Sequence, residues 1–324
     1  MKIFVAEAYG LHSKIELISN KVGLFQEPIS EKLFTEVKTL ESSDAVLVPH
    51  DAYYFDKFPD YLNYLNALSK SKLVIFSDRG DFPKRPKITN SVALRVAINP
   101  GESRFRKIVI PYNVESLSFL PYKKLEANPT ISFVGFMPKL SLGRFKHTLQ
   151  QSPLHPVKGN GAVVRRLMDR TLSKADITYS CISRNSYGAL DVGQNDLAKN
   201  RAEYLGSINE SDLVACPRGD ANQSARFYEA LSAGRIPCVP DTSIVFPNVE
   251  EAKLNNLLIK FPFRHKILEF LVEEYFKSIR TQSDYNSIQR DLRDFFQRNL
   301  RFEPIVKNIF TSDKNSFKKM ANFI

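Results

Sequence analysis

The residues best equipped for chemistry are concentrated between 211 and 240, in SDLVACPRGDANQSARFYEALSAGRIPCVP. A short apolar run ends at Cys216–Pro217, the polar loop RGDANQS follows, and a helix begins near Ser224. Backbone N–H groups at a helix start, backed by the positive end of the helix dipole, suit a phosphate. Gly219 lets the loop relax, and Arg218 carries the forked donors that meet phosphate oxygens. Arg226 and Glu229 stand three apart and so share one side of the helix. That spacing permits Arg226 to reach phosphates while an ionised Glu229 accepts hydrogen bonds from ribose hydroxyls. The competing reading is a surface ion pair between Arg226 and Glu229, with Arg218 in solvent. The residues alone do not choose between them.

A second group of reactive side chains follows apolar runs in the first half of the chain. His50 and Asp51 come just after the run ending at Val48, and Asp78, Arg79 and Asp81 just after the run ending at Ser77. Parallel strands place both loops on one sheet edge, where a carboxylate or imidazole can take a proton from a hydroxyl. Asp51 is the preferred base, with His50, Asp78 and Asp81 as alternatives. Asp and His also cap helices or close turns. Gly135, at the end of SFVG, allows close approach to the backbone. Arg144, and Arg165 or Arg166, are candidates to add positive charge near a phosphate. His147, His155 and His265 are scattered and form no metal-ligand set, and no zinc, P-loop or dinucleotide fingerprint is present.

These residues require elements that hold them. Apolar runs at 2–6, 44–49, 72–77, 92–98 and 107–112, rich in Val and Ile, read as strands covered on both faces. Between two of them, YLNYLNALSKS carries Leu62, Leu65 and Leu68 at helical spacing, the pattern of a crossover helix. After the polar stretch 121–130 the series resumes at 131–136, 176–182, 212–217, 236–240 and 257–261. ARFYEALSAG is a short helix closed by Gly234. The fold class is therefore α/β, with two domains of the same strand–helix logic facing each other. The divisions fall at 1–125, 126–262 and 263–324, the last a segment of amphipathic helices packed on the domains.

Composition narrows the partners. The chain of 324 residues has 46 Lys and Arg against 35 Asp and Glu, a net charge of +11 that favours an anionic partner. Zinc-finger spacing, zipper repeats and a basic stripe alternating with aromatics are all missing, which argues against nucleic acid. Three cysteines with no close pair point to a reducing compartment. No stretch approaches the roughly 20 apolar residues of a membrane span, and the expected location is cytoplasmic, with peripheral contact to an anionic membrane surface open to the tail helices.

The 211–240 segment resembles the C-terminal signature of the exostosin-like glycosyltransferases, glycosyltransferase family 47. The resemblance lies in Cys216–Asp220, Ser224–Ala230 and the Gly234–Pro237 turn, with weaker likeness at 43–55 and 131–136. It implies two Rossmann-like domains around a central cleft (the GT-B arrangement), with a UDP- or GDP-sugar donor held mainly by the second. It also implies inverting transfer, without metal or other cofactor, to a hydroxyl of a glycan or lipid-linked saccharide. On that reading Glu229 binds ribose and Arg218 and Arg226 lie near the diphosphate. The membrane anchor and secretory setting of the animal and plant members are not seen, which suggests a compact microbial relative. A non-catalytic carbohydrate- or nucleotide-binding protein retaining the same fold is the alternative.

Overall fold

Uninterrupted Val-, Ile- and Leu-rich runs produce two parallel sheets. The computed structural model describes residues 1–6, 34–51, 58–78, 88–137, 146, 155–184, 194–247 and 251–321. The first sheet has the order β2-β1-β3-β4-β5-β6, with β1 at Lys2–Val5, β2 at Thr35–Glu36 and β3 at Ala45–Asp51. Its remaining strands are β4 (Leu73–Asp78), β5 (Ser91–Arg95) and β6 (Lys107–Val109). Every neighbouring pair is parallel. β4 and β5 are buried at every position, as strands covered on both faces must be. Helix α1 (Pro59–Ser69) crosses between β3 and β4; proline opens it at a position whose N–H has no helical partner. It buries Tyr61, Leu65 and Leu68, one face at helical spacing. Register along β3 and β4 shifts between Val48 and Asp51, where Pro49 cannot donate to the ladder.

The second sheet has the order β11-β10-β9-β7-β8 and is also wholly parallel. Its strands are β7 (Thr130–Phe136), β8 (Thr178–Arg184), β9 (Leu213–Ala215), β10 (Ile236–Pro240) and β11 (Ile259–Phe261). Helices α2 (Gly161–Leu172), α3 (Gln194–Glu210), α4 (Ala225–Ala233) and α5 (Glu251–Asn255) lie between them in sequence. Asn160 caps α2 by accepting from the N–H groups of Ala162 and Val163. α4 ends at Gly234 with φ 71°, ψ 32°, the left-handed C-cap anticipated for that glycine. A Cβ there would also press on the Gln289 carbonyl at 2.8 Å. Two parallel sheets around a cleft, with helices following, make a GT-B architecture.

The tail helices serve both sheets. α6 (His265–Lys277) and α7 (Gln282–Phe295), the latter extended by a π-helical turn at Phe296–Leu300, pack in the core of the second sheet. Residues from Phe302 onward, in α8 (Phe302–Thr311) and α9 (Lys314–Met320), instead join the core of the first sheet. Phe302, Val306, Ile309, Phe310 and Phe317 cluster there with Leu47, Ile75 and Leu94. The chain therefore crosses between the halves near 110–117 and again at Arg301. Among the described residues no helix is long and apolar enough to cross a membrane. Cys181 is exposed; Cys216 and Cys238 are buried, and none of the three is in a disulfide.

Candidate functional site

The direction of chain progression reverses at β7: β8 lies on one side of it and β9 on the other. In open parallel sheets, ligands bind beyond the carboxyl ends of strands at such a switch point, where the following loops separate. A cleft of about 520 Å³ opens there. Its walls are the end of β7 (Val134, Gly135, Phe136), Arg184 at the end of β8, and the start of α4 (Ser224, Ala225, Arg226, Glu229). Arg201 and Tyr204 of α3, Arg165 of α2, Gly219 and Tyr112 also line it. The sequence-selected Gly135, Gly219, Ser224, Arg226 and Glu229 thus come together in one cleft.

Arg226 is aimed by three contacts. Its Nε donates to the Val134 carbonyl at 2.9 Å, and its guanidinium lies 5.1 Å from the centre of the Phe133 ring. A Cβ on Gly135 would overlap its Nη2, so the absent side chain is the space the guanidinium occupies. Among the described residues no acceptor binds its Nη groups. The first turn of α4 is similarly prepared. Ser224 stands at the N-cap without capping through its side chain, and Phe227 N–H is the first to find the Ser224 carbonyl, at 3.1 Å. The N–H groups of Ala225 and Arg226 precede that bond and face the cleft end of the helix.

Glu229 does not pair with Arg226. One carboxylate oxygen accepts from Arg201 Nη1 at 3.2 Å and the other from the Tyr204 hydroxyl at 2.5 Å. Arg201 and Tyr204 are three apart on α3, one above the other. Burial, followed by the Glu229 carboxylate, holds the Tyr204 phenol well above its ordinary pKa, so it remains the donor. Burial acts to lower the Arg201 pKa, but Glu229 and Glu115 overcome it and leave it raised. Arg201 also reaches Glu115, on the segment that joins the two sheets, at 2.7 Å.

Arg218 departs from its expected place. It is 2% exposed, and its guanidinium donates to the carbonyls of Lys158, Gly219 and Asp220 at 3.0, 3.3 and 2.6 Å. It also donates to Asn99 Oδ1, on the segment after β5, at 3.0 Å. These acceptors turn the fork into the loop and across to the first sheet, away from the phosphate role. Nearby, Asn222 Nδ2 donates to the Ile98 carbonyl at 3.2 Å, a second tie between the halves. Arg165 is likewise engaged, with Phe136 and Arg218 carbonyls at 2.5 and 3.1 Å. Gly219 has no left-handed backbone; its carbonyl instead packs where a Cβ on Gly161 would stand.

The described candidate bases lie at the carboxyl ends of two neighbouring parallel strands, β3 and β4. Asp51 is the last residue of β3, its backbone registered with Ser77, and His50 lies within the register shift before it. In the first sheet the switch falls between β1 and β3, so Asp51 ends a strand beside it. Asp78 is 7% exposed, and its carboxylate lies 3.2 Å from Arg95 Nε. Arg95 in turn pairs with Glu102, which takes Lys107 Nζ at 3.0 Å. That buried ion network holds the end of the first sheet. Asp81 and Arg144 lie outside the described residues. Among the described residues no group of three or more His, Cys, Asp or Glu is placed to hold a metal ion. A second cavity, about 540 Å³ between β6, α9 and residues 244–247, contains none of the selected residues.

The family model described as the RXYLT1 C-terminal domain matches residues 160–265, about a third of the chain. That span includes α2, α3, α4 and thus most of the cleft wall. No curated protein matches the sequence. Among solved structures, a glycosyltransferase from Rickettsia africae is similar at 11% identity and TM-score 0.44, over 98% of each chain. Alr3699/HepE of Anabaena, in complex with UDP and glucose, is similar at 12% identity and TM-score 0.41, over 95% of this chain and 98% of its own. TarM is similar at 12% identity and TM-score 0.39; 78% of this chain covers 57% of TarM.

Arg184, Arg201 and Tyr204 are among the cleft residues that sequence reasoning passed over. Arg184 ends β8 and donates to the Asn200 carbonyl and Glu203 at 3.0 and 3.1 Å, which ties that strand to α3. The run Arg201-x-x-Tyr204 at helical spacing is a usable signal only once Glu229 is known to need partners.

Proposed function

We propose that this chain is an inverting glycosyltransferase of the exostosin type. It moves a sugar from a UDP- or GDP-sugar to a hydroxyl of a glycan or lipid-linked saccharide. One observation carries the reading. A single helix start, seated at the switch point of the second sheet, offers N–H groups with no partner among the described residues and the Arg226 guanidinium, in the same cleft as the Glu229 carboxylate. Phosphate needs the first two and ribose the third. The donor side is taken as 126–262, the acceptor side as 1–125, and 263–324 as the helical segment that binds both.

Transfer on this reading is a single displacement. Asp51, at the carboxyl end of β3, removes the proton from the acceptor hydroxyl as its oxygen attacks the anomeric carbon. The bond to the nucleoside diphosphate breaks on the opposite face. Negative charge grows on the leaving diphosphate, where Arg226 and the α4 N–H groups stabilise it; fixed donors aimed at developing charge are commonly a large catalytic contribution. Arg218 acts upstream, holding the 217–223 loop to Asn99. Asp51 is preferred over Asp78 as base because the Asp78 carboxylate is engaged with Arg95 inside the buried ion network. The basic surface and net charge of +11 support an anionic acceptor or membrane face, in a cytoplasmic setting.

Thermal-shift titration with UDP, GDP, CMP and their sugar conjugates tests the donor side, since a ligand of the native state raises the melting temperature. The positive nucleotide sugar is then incubated with saccharide acceptors and the product's anomeric configuration read by NMR. Retention of configuration would contradict inversion. Turnover unchanged in Asp51→Asn would remove Asp51 from its role.

A further inference from the structure

Glu229 reaches the cleft already held at both oxygens. Arg201 takes one and Tyr204 the other, at 3.2 and 2.5 Å, and the Arg201 guanidinium lies 5.4 Å from the Tyr204 ring centre. A carboxylate offers roughly four acceptor positions. One on each oxygen is therefore taken, and one on each is left. Two acceptors side by side on a fixed carboxylate match two adjacent hydroxyl groups and not one. The clamp is anchored at its far end as well, because Arg201 also binds Glu115 at 2.7 Å. Both donors come from consecutive turns of α3, so the helix presents them to Glu229 together.

We propose that Tyr204 is a positioning residue which, together with Arg201, fixes Glu229 to select a vicinal diol, so that the donor is a ribonucleotide and not its 2′-deoxy counterpart. This rests on Glu229 as the ribose-binding acid. Tyr204 touches no reacting atom; it acts through the carboxylate.

Affinities of UDP against 2′-deoxy-UDP, and of GDP against 2′-deoxy-GDP, are measured by calorimetry for the wild type, Tyr204→Phe, Arg201→Lys and Glu229→Gln. The wild type is expected to prefer the ribonucleotide by about tenfold, the scale of one hydrogen bond to a charged group. In Tyr204→Phe and Arg201→Lys the ratio narrows to about threefold or less, chiefly through weaker ribonucleotide binding, with melting temperature little changed. Tyr204→Phe combined with Glu229→Gln discriminates no less than Glu229→Gln alone. Retention of the wild-type ratio in both clamp variants, or a parallel loss for ribo and deoxy forms, overturns the proposal while leaving the transferase reading in place. A wild type that binds none of the four nucleotides overturns both.

Discussion

Gly135→Ala isolates the geometry on which the donor site depends. An added methyl would overlap Arg226 Nη2 and come within 3.2 Å of Phe133 Cζ, against an ordinary carbon contact of roughly 3.5–4 Å. The guanidinium must withdraw by more than about an ångström, which removes the Nε bond to Val134 and the stack on Phe133. Loss of that charged hydrogen bond costs about 1.5–3 kcal/mol, partly offset by about 0.4–1 kcal/mol from a less flexible unfolded chain. Net destabilisation is then about 1–2 kcal/mol, or a fall of roughly 1–3 °C in melting temperature for a chain of this size. The effect on a bound diphosphate is larger. Removing one charge-assisted contact weakens binding by about 10- to 150-fold. Calorimetric titration of UDP and GDP at fixed ionic strength, beside thermal unfolding of both proteins, reads the two effects separately. Undiminished affinity in Gly135→Ala would refute the placement of Arg226 at the phosphates.

Arg218→Ala should destabilise the protein by about 3–5 kcal/mol, because the buried acceptor at Asn99 and the part-buried carbonyl of Lys158 lose their donor; chemical denaturation measures this, and a change under about 1 kcal/mol would contradict it. Alkylation of the native protein followed by mass spectrometry should mark Cys181 alone, since burial holds the thiols of Cys216 and Cys238 well above their usual pKa. Cys181 is also raised, by partial burial first, so its labelling should quicken between pH 7 and pH 9. Burial alone would raise the Asp241 pKa, but the Lys158 hydrogen bond, the Ser243 N–H and Lys260 hold it below the usual aspartate value. Its contribution is therefore present above about pH 4 and lost as pH falls through the depressed value. Both partners are more than a third exposed, so Asp241→Asn should flatten the melting temperature between pH 5 and pH 3 by only a degree or two.

The strands were legible because a parallel strand covered on both faces leaves an unbroken apolar run. IPCVP at 236–240 coincides with β10, and the run at 131–136 lies within β7. Arg226 and Glu229 were legible as cleft residues because strand end, loop and helix start follow one another within a dozen residues. Arg218 was not. Its type suits phosphate, and nothing local shows that its fork meets Asn99 and Lys158, which are 119 and 60 residues away. Helix α3 was also missed, since NDLAKNRAEYLGSINE has few apolar residues to set a stripe. With it went the two donors that hold Glu229. The two-residue β2 has too little sequence to signal itself, and helices α8 and α9 belong to a core whose other members, Ala221 aside, all lie at or before Ile110.

That distant membership has a consequence for how the protein is made. Phe302, Val306, Ile309, Phe310 and Phe317 fill one face of a sheet whose strands leave the ribosome first. Until synthesis has passed residue 317, those strands show an uncovered apolar surface, while the other sheet can already assemble against α6 and α7. The second half is therefore the one able to fold early, and the first is completed last. Cutting the chain after residue 300 should leave the earlier-born half, not the later, as the part that aggregates.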